Sequence, residues 1–222
     1  MTHHHTQPSD EEVLAVMVPA EGQPASTNGN DGLTVLDEPV ILKDGREFRE
    51  LALGEPNVFH VLSAARVIGK RPNAESVYES QLRLVELVSG WPSLAIGDLP
   101  SDVLDRAVAY MADFQESARR PEDALPDLAP SFTLIFEPPV EATGRSFTVM
   151  ELRPPKVKER RVAKAFEARG TIEGMLLAEI ALVEAVSEWP KAAVLKTPIS
   201  KFARAADYLT GFFITGPTTG NE

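Results

Sequence analysis

The chain contains no cysteine, which excludes disulfides, thiolate metal sites and a cysteine nucleophile. Of its four histidines, His3, His4 and His5 lie together at the start, leaving His60 alone for a folded site. A metal centre needs several ligands converging from rigid elements, and a lone histidine does not supply them. The His3–His5 run is read as tail sequence. A Ser-His-Asp relay would have to use His60, and no Gly-x-Ser-x-Gly elbow occurs. Phosphate-binding loops are missing too. Gly69-Lys70 has Ala64 where the motif needs glycine and Arg71 where it needs Ser or Thr, and no Gly-x-Gly-x-x-Gly is present. Neither an enzyme nor a cofactor-binding protein is expected.

Long apolar runs are also lacking. None approaches the ~18 residues a membrane span needs, and the first residues lack the basic-then-apolar layout of a signal peptide. Excess positive charge is absent: 22 Lys and Arg face 33 Asp and Glu, a net charge of −11. That balance opposes whole-chain attraction to nucleic acid or to an anionic membrane. A soluble intracellular protein is expected.

What the sequence does hold is 43% hydrophobic and 25% charged residues over 222 positions, enough for one or two small domains. Met1 to Leu36 carries five acids, no Lys or Arg, and a loop-like stretch from Glu21 to Gly32. So little apolar content cannot offset the entropy of ordering, so 1–31 reads as a disordered acidic tail, with Val13, Leu14, Val16, Met17 and Val18 as a short docking segment. A second break, 117–130, has prolines at 121, 126 and 130, through which no helix runs. Residues 1–130 carry a charge of −12 and 131–222 a charge of +1. Such asymmetry either orients two halves or two subunits as they meet or is simply a solvated acidic surface.

An internal repeat organises the rest. Glu38–Val58 pairs with Glu137–Val157 at an offset of 99 with eight of 21 positions identical, among them Pro39/Pro138, Gly45/Gly144 and Phe48/Phe147. After a one-residue deletion, Gln81–Phe114 pairs with Glu179–Phe212 at 13 of 34 positions, anchored by Leu84–Pro92 against Leu182–Pro190. Both tryptophans occupy equivalent places. Self-similarity at this level marks a duplicated structural unit.

Each copy reads the same way. Thr34–Lys43 and Arg46–Leu53 flank Asp44-Gly45, and Phe132–Glu141 and Ser146–Leu152 flank Thr143-Gly144, the pattern of a tight hairpin. A first helix follows over Asn57–Ile68, with Asn57 as N-cap, and over Lys156–Ala168. A second spans about 73–89 and 171–188, where Leu82, Val85, Val88 and Ile180, Val183, Val186 recur at helical spacing. Trp-Pro stops it in both copies. A third runs from about 101 to 116 and 199 to 213. The expected fold is α+β: two tandem ββααα units, mostly helical, at 32–116 and 131–215, with a disordered C-terminus at 216–222. Each unit of ~80 residues is small for an independent core, so docking of the copies or self-association is expected to supply further burial.

Candidate partner-binding residues are few. Lys156, Lys158, Arg160, Arg161 and Lys164 form the one dense basic cluster, interrupted by Glu159 and without interleaved aromatics for base stacking, so a partner-facing or solvated face is favoured over nucleic acid. Trp91 and Trp189 suit either interface anchors or pins of the core, the core being favoured, and they stand with Tyr110 and Tyr208 of the last helix among the candidate partner-binding residues.

A hairpin with a central glycine, then Leu152-Arg-Pro-Pro155, then helices, the last of which begins Leu99-Pro-Ser-Asp102 in the first copy, resembles the small tail assembly chaperones of Mu-like bacteriophages. Pro39, Asp44, Gly45, Leu53, Pro56, Leu99, Pro100, Asp102 and Phe114 carry the likeness in copy one. Pro138, Gly144, Leu152, Arg153, Pro154, Pro155, Pro198 and Phe212 carry it in copy two. This chain departs in fusing two copies, in reading Leu-Gly-Glu-Pro at 53–56, and in placing Ser200 opposite Asp102. The resemblance implies a non-enzymatic chaperone that coats the apolar helices of the tape measure protein, recruits tail tube protein, acts in the host cytoplasm and is absent from the finished virion. The alternative is a structural or adaptor protein of the phage tail.

Overall fold

The computed structural model describes residues 32–121 and 123–214. The disorder expected for 1–31 and 216–222, and the docking segment at 13–18, lie outside the described residues. Within them the α+β reading holds, as two tandem hairpin-and-helix units in a mostly helical chain.

In the first unit, β1 (Leu33–Ile41) pairs antiparallel with β2 (Glu47–Ala52); in the second, β3 (Phe132–Ala142) pairs with β4 (Arg145–Leu152). The two hairpins form separate sheets. The register shifts between Val35 and Val40 and between Ile135 and Val140, and the ladder makes these positions equivalent at an offset of 100, so Pro39 corresponds to Pro139 and not, as the offset of 99 implied, to Pro138; the first hairpin carries its extra residue in the turn. Proline has no N–H for the ladder, so a bulge is where a strand tolerates it. The turns differ between the copies. Ala142 pairs directly with Arg145 across Thr143 (φ 51°) and Gly144 (φ 73°), a two-residue turn with both central residues left-handed. In copy one Leu42 closes on Arg46 around three residues, with Gly45 at φ 85° and the Asp44 carboxylate accepting from the Arg46 N–H.

Helices α1 (Val58–Ile68), α2 (Ala74–Ser89), α3 (Ser93–Gly97) and α4 (Ser101–Glu116) complete unit one. Their counterparts are α5 (Val157–Glu167), α6 (Ile172–Ser187), α7 (Lys191–Lys196) and α8 (Ile199–Ile214). Asn57 caps α1 by accepting from the His60 N–H, as expected, and Asn73 and Thr171 cap α2 and α6 in the same way. The addition to the expected pattern is the single-turn helix α3 or α7, which follows Trp-Pro in each copy. One turn is too short to display a hydrophobic period.

An isolated two-stranded hairpin is marginal in water, so each is covered by helices. In unit one Leu36, Val40 and Leu51 of the hairpin pack with Val85, Trp91, Ile96, Leu104 and Met111. In unit two Leu134, Phe136, Met150 and Leu152 pack with Ile180, Val183, Trp189, Phe202 and Leu209. The second core also takes in Val58 and Leu62, which belong to α1 of the first unit. That helix therefore lies between its own α2 and the neighbouring α6, and α5 packs on α6 in turn. Because α6 is covered by both α5 and α1, it buries Leu176, Leu177, Ile180, Leu182, Val183 and Val186, whereas α2 buries only Val77, Ser80 and Val85. Gly174 permits the close approach of α5: a Cβ there would stand 2.8 Å from the Phe166 carbonyl oxygen.

Backbone bonds fix the junction of the units. The Val58 N–H donates to the Thr197 carbonyl (3.0 Å), the Ile199 N–H to the Pro56 carbonyl (2.9 Å), and the Ser200 N–H to Glu55 Oε1 (2.7 Å). At the far end of α1, Arg66 Nε donates to Glu173 Oε1 at 2.8 Å. The linker runs along α8, where the Arg120 N–H donates to Asp207 and Pro126 lies against Gly211.

Candidate functional site

The aromatic candidates turn inward. Trp91, 8% exposed, packs its ring 5.0 Å from Phe48, and Trp189, 7% exposed, sits between Phe136 and Phe147 and donates its indole N–H to the Val149 carbonyl at 3.3 Å. Both close the second long helix over the hairpin, so the core-pin reading replaces that of exposed anchors. Tyr208 is buried as well: its ring stacks on Phe132 and its hydroxyl donates to the Ala129 carbonyl at 2.8 Å. Tyr110 is half-buried, edge-on to Phe114, and Gly32 passes close to its hydroxyl. In each unit the segment entering the hairpin thus crosses the same tyrosine. These four residues hold the fold together and offer little surface to a partner.

The basic cluster is exposed. Helix α5 buries Ala163 and Glu159 and leaves Lys158, Arg160, Arg161 and Lys164 exposed, with Lys156 exposed just before it. Arg160 lies over the Phe213 ring at 4.4 Å and Lys164 pairs with Glu167, while Lys158 and Arg161 form no ion pair among the described residues. Glu159, which the sequence shows only as an interruption of the basic run, organises the start of the helix. It accepts from both terminal nitrogens of Arg153, at 2.8 and 3.0 Å, and from the Lys156 N–H at 2.6 Å. The Arg153 pairing above all lowers the Glu159 carboxyl to about 2. In copy one His60 stands in this place, and burial lowers its pKa.

Two grooves flank α5. One, about 390 Å³, is lined by Val162 and Phe166 of α5, by Leu177, Ile180, Ala181, Glu184 and Ala185 of α6, and by Lys191 of α7. The other, about 370 Å³, lies between α5, α6 and α8, and burial raises the pKa of Glu179 within it. Among the described residues no cluster of three or more His, Asp or Glu side chains is arranged to hold a metal ion. No helix there is long and apolar enough to cross a membrane.

A family model described as phage tail assembly chaperone proteins, E, or 41 or 14, matches the chain twice, over residues 34–116 and 131–214. The chain belongs to the phage tail assembly chaperone family. Each match falls on one hairpin-and-helix unit, so the duplication in the sequence is a duplication of the whole family fold. The family's work is chaperoning rather than catalysis, in keeping with a surface of apolar grooves and charged helix faces. Neither the curated proteins nor the solved structures compared with the chain give a match.

Proposed function

We propose that this tail assembly chaperone binds apolar helical segments of the phage's tape measure protein in the host cytoplasm, holds them soluble, brings tail tube protein to them, and is released before the virion is complete. The observation that carries this reading is the family match on both units. An elongated, apolar client needs many weak, reversible contacts, and tethering two units raises the local concentration of the second once the first has bound.

The groove between α5, α6 and α7 is the seat we assign to a client helix. Its lining is mostly apolar, from Val162, Phe166, Leu177, Ile180, Ala181 and Ala185, with Glu184 and Lys191 as its charged residues. An amphipathic helix would lay its apolar face there and keep its polar face in water. The test is capture of tape measure segments by the purified chain and by the variant V162E/A185E. Both positions are exposed, so the substitutions put charge into the groove without opening the core. Capture by the original chain and its loss in the variant support the assignment. Equal capture by both moves the client to another surface, and retention of the chain in purified particles favours a structural role.

A further inference from the structure

We propose that the apolar segment near the start of the chain, residues 13–18 with three acids ahead of it, docks in the groove between α5, α6 and α7 of the same chain and occupies it until a client displaces it. The groove joins an apolar floor to a basic margin. On α5, Lys158, Val162 and Phe166 follow one another at four-residue steps and so share a helix face, of which Val162 and Phe166 line the groove. Arg161 adjoins Val162, and Lys191 of α7 lines the groove as well. Lys158, Arg161 and Lys191 are exposed and form no ion pair among the described residues. Glu184 is the acid of the lining.

Charge and reach identify the occupant. Residues 1–31 carry five acids and no Lys or Arg, and three of the acids adjoin at Asp10, Glu11 and Glu12. Val13, Leu14, Ala15, Val16, Met17 and Val18 follow at once, and Pro19 closes the run. Ser9 stands three residues before Glu12, and Ser-x-x-Glu ahead of an apolar run is the sequence pattern that opens a helix. An acidic start followed by an apolar stretch matches a basic margin beside an apolar floor. The described chain begins at Gly32, which lies against Tyr110 of α4; α4 packs on α8, and α8 on α6. At about 10 Å for each helix spacing, the groove is about 30 Å from Gly32. Residues 19–31 span about 45 Å when extended, enough to bridge that distance. Tethered in this way, the segment stands at an effective concentration on the order of millimolar.

The first unit has no equivalent seat. Where the second has Val162, Leu177 and Ala181, the first has Ser63, Glu79 and Arg83, and Arg83 pairs with Glu86 at 2.6 Å. Residues 32–130 hold 10 Lys and Arg against 17 Asp and Glu, a charge of −7, whereas 131–222 carry +1. An acidic segment is therefore repelled by the first unit and drawn to the basic helix of the second. Docking there also covers an apolar groove that is otherwise open to unrelated partners. The docked segment needs only the groove and its basic margin; its competition with a client helix rests on the assignment of that groove to the client.

The absence of cysteine allows a clean spin-label pair on the full chain, A20C/A192C, with one label just after the segment and the other on exposed Ala192 next to Lys191. Pulsed electron paramagnetic resonance of the labelled chain in a large excess of unlabelled chain should give one short, narrow distance. L14E/M17E, which leaves every described residue unchanged, should lengthen and broaden it, and so should K158E/R161E, at two exposed positions, with circular dichroism checking that fold. A broad distribution in the original chain, a distance untouched by L14E/M17E or by a folded K158E/R161E chain, or a short distance that disappears on dilution would each overturn the proposal, the last by giving the segment to a neighbouring chain. If K158E/R161E does not fold, L14E/M17E alone decides between the same outcomes. Capture of tape measure segments separates this proposal from the client reading. A segment docked about nine-tenths of the time weakens client affinity about tenfold, so L14E/M17E should tighten capture by about that factor. Client capture by a chain whose segment is not docked overturns the docking alone, and a docked segment in a chain that captures no client overturns the client reading alone.

Discussion

Replacing Leu62 by alanine probes the joining of the two units at its centre. Leu62 belongs by sequence to the first unit, yet it is 2% exposed within the second unit's core, beside Val58. If α1 were merely an element of unit one resting on its neighbour, truncation would cost the first unit alone. The packing instead places the missing methyl groups in the shared core, where α6 meets α1 and cannot collapse freely because α5 holds its other side. Buried Leu→Ala changes cost about 2–5 kcal/mol, and a helix clamped on both sides belongs in the middle of that range, about 3 kcal/mol. For a folded region of this size each kcal/mol moves Tm by about 2–4 °C, so a fall of about 6–12 °C is expected. Calorimetry with urea titration measures it, and the whole folded region should unfold as one transition before and after the change. Val67→Ala, on the same helix but 40% exposed, serves as the control and should change stability by less than about 0.5 kcal/mol. A loss under about 1 kcal/mol at Leu62, or two transitions of which only one shifts, would refute the shared core.

Three further substitutions test the local chemistry. Glu159 has a folded pKa of about 2 against an ordinary 4.5, so its pairing stabilises the fold above pH 4.5 and is lost as pH falls toward 2. With Arg153 partly exposed, Glu159→Gln should cost about 2 kcal/mol at pH 7 and progressively less in acid, read from urea midpoints across pH. Glu179 has the opposite sign. Burial raises its pKa despite Arg119, with Asp207 and Glu167 adding to the shift, so its charge is a cost that grows as pH rises through that pKa. Glu179→Gln, the residue copy one carries as Gln81, should raise Tm at pH 7 and raise it less at pH 4; an unchanged or lower Tm at pH 7 speaks against the burial cost. Gly45→Ala should cost about 1 kcal/mol in thermal or urea unfolding, from backbone strain alone, since φ is 85° and nothing lies within 4 Å of an added Cβ.

Local signals were the legible part of the fold. Asp44-Gly45 and Thr143-Gly144 mark their hairpins, Asn57 marks the start of α1, and Trp-Pro stops the second long helix in both copies, because each depends on neighbours in the chain. The roles of Trp91 and Trp189 were not decided by their positions, since a tryptophan before proline suits a core and an interface equally; only the rings of Phe48, Phe136 and Phe147 around them settle it. The Arg153–Glu159 pair has no linear signature, because a loop turns the chain between the two residues and along the sequence Glu159 looks like one acid among bases. The seating of α1 on the second unit was hidden for a different reason. It is a contact between repeats, and its trace appears only when the copies are compared face by face: Val61, Leu62 and Ala65 against Arg160, Arg161 and Lys164. The candidate site follows the same rule. The basic face of α5 could be read from composition, whereas its groove is built by residues from three helices and has no linear signature.

The central claim is that this duplicated chain is a chaperone for an apolar client in tail assembly. Co-expression with the tape measure protein of the same genome tests it most directly, measuring how much of the tape measure protein stays in the soluble fraction and whether the two co-purify. The account predicts a soluble complex that forms with the two-unit chain and is lost when the chain is omitted. A tape measure protein that aggregates to the same extent with and without the chain would contradict it.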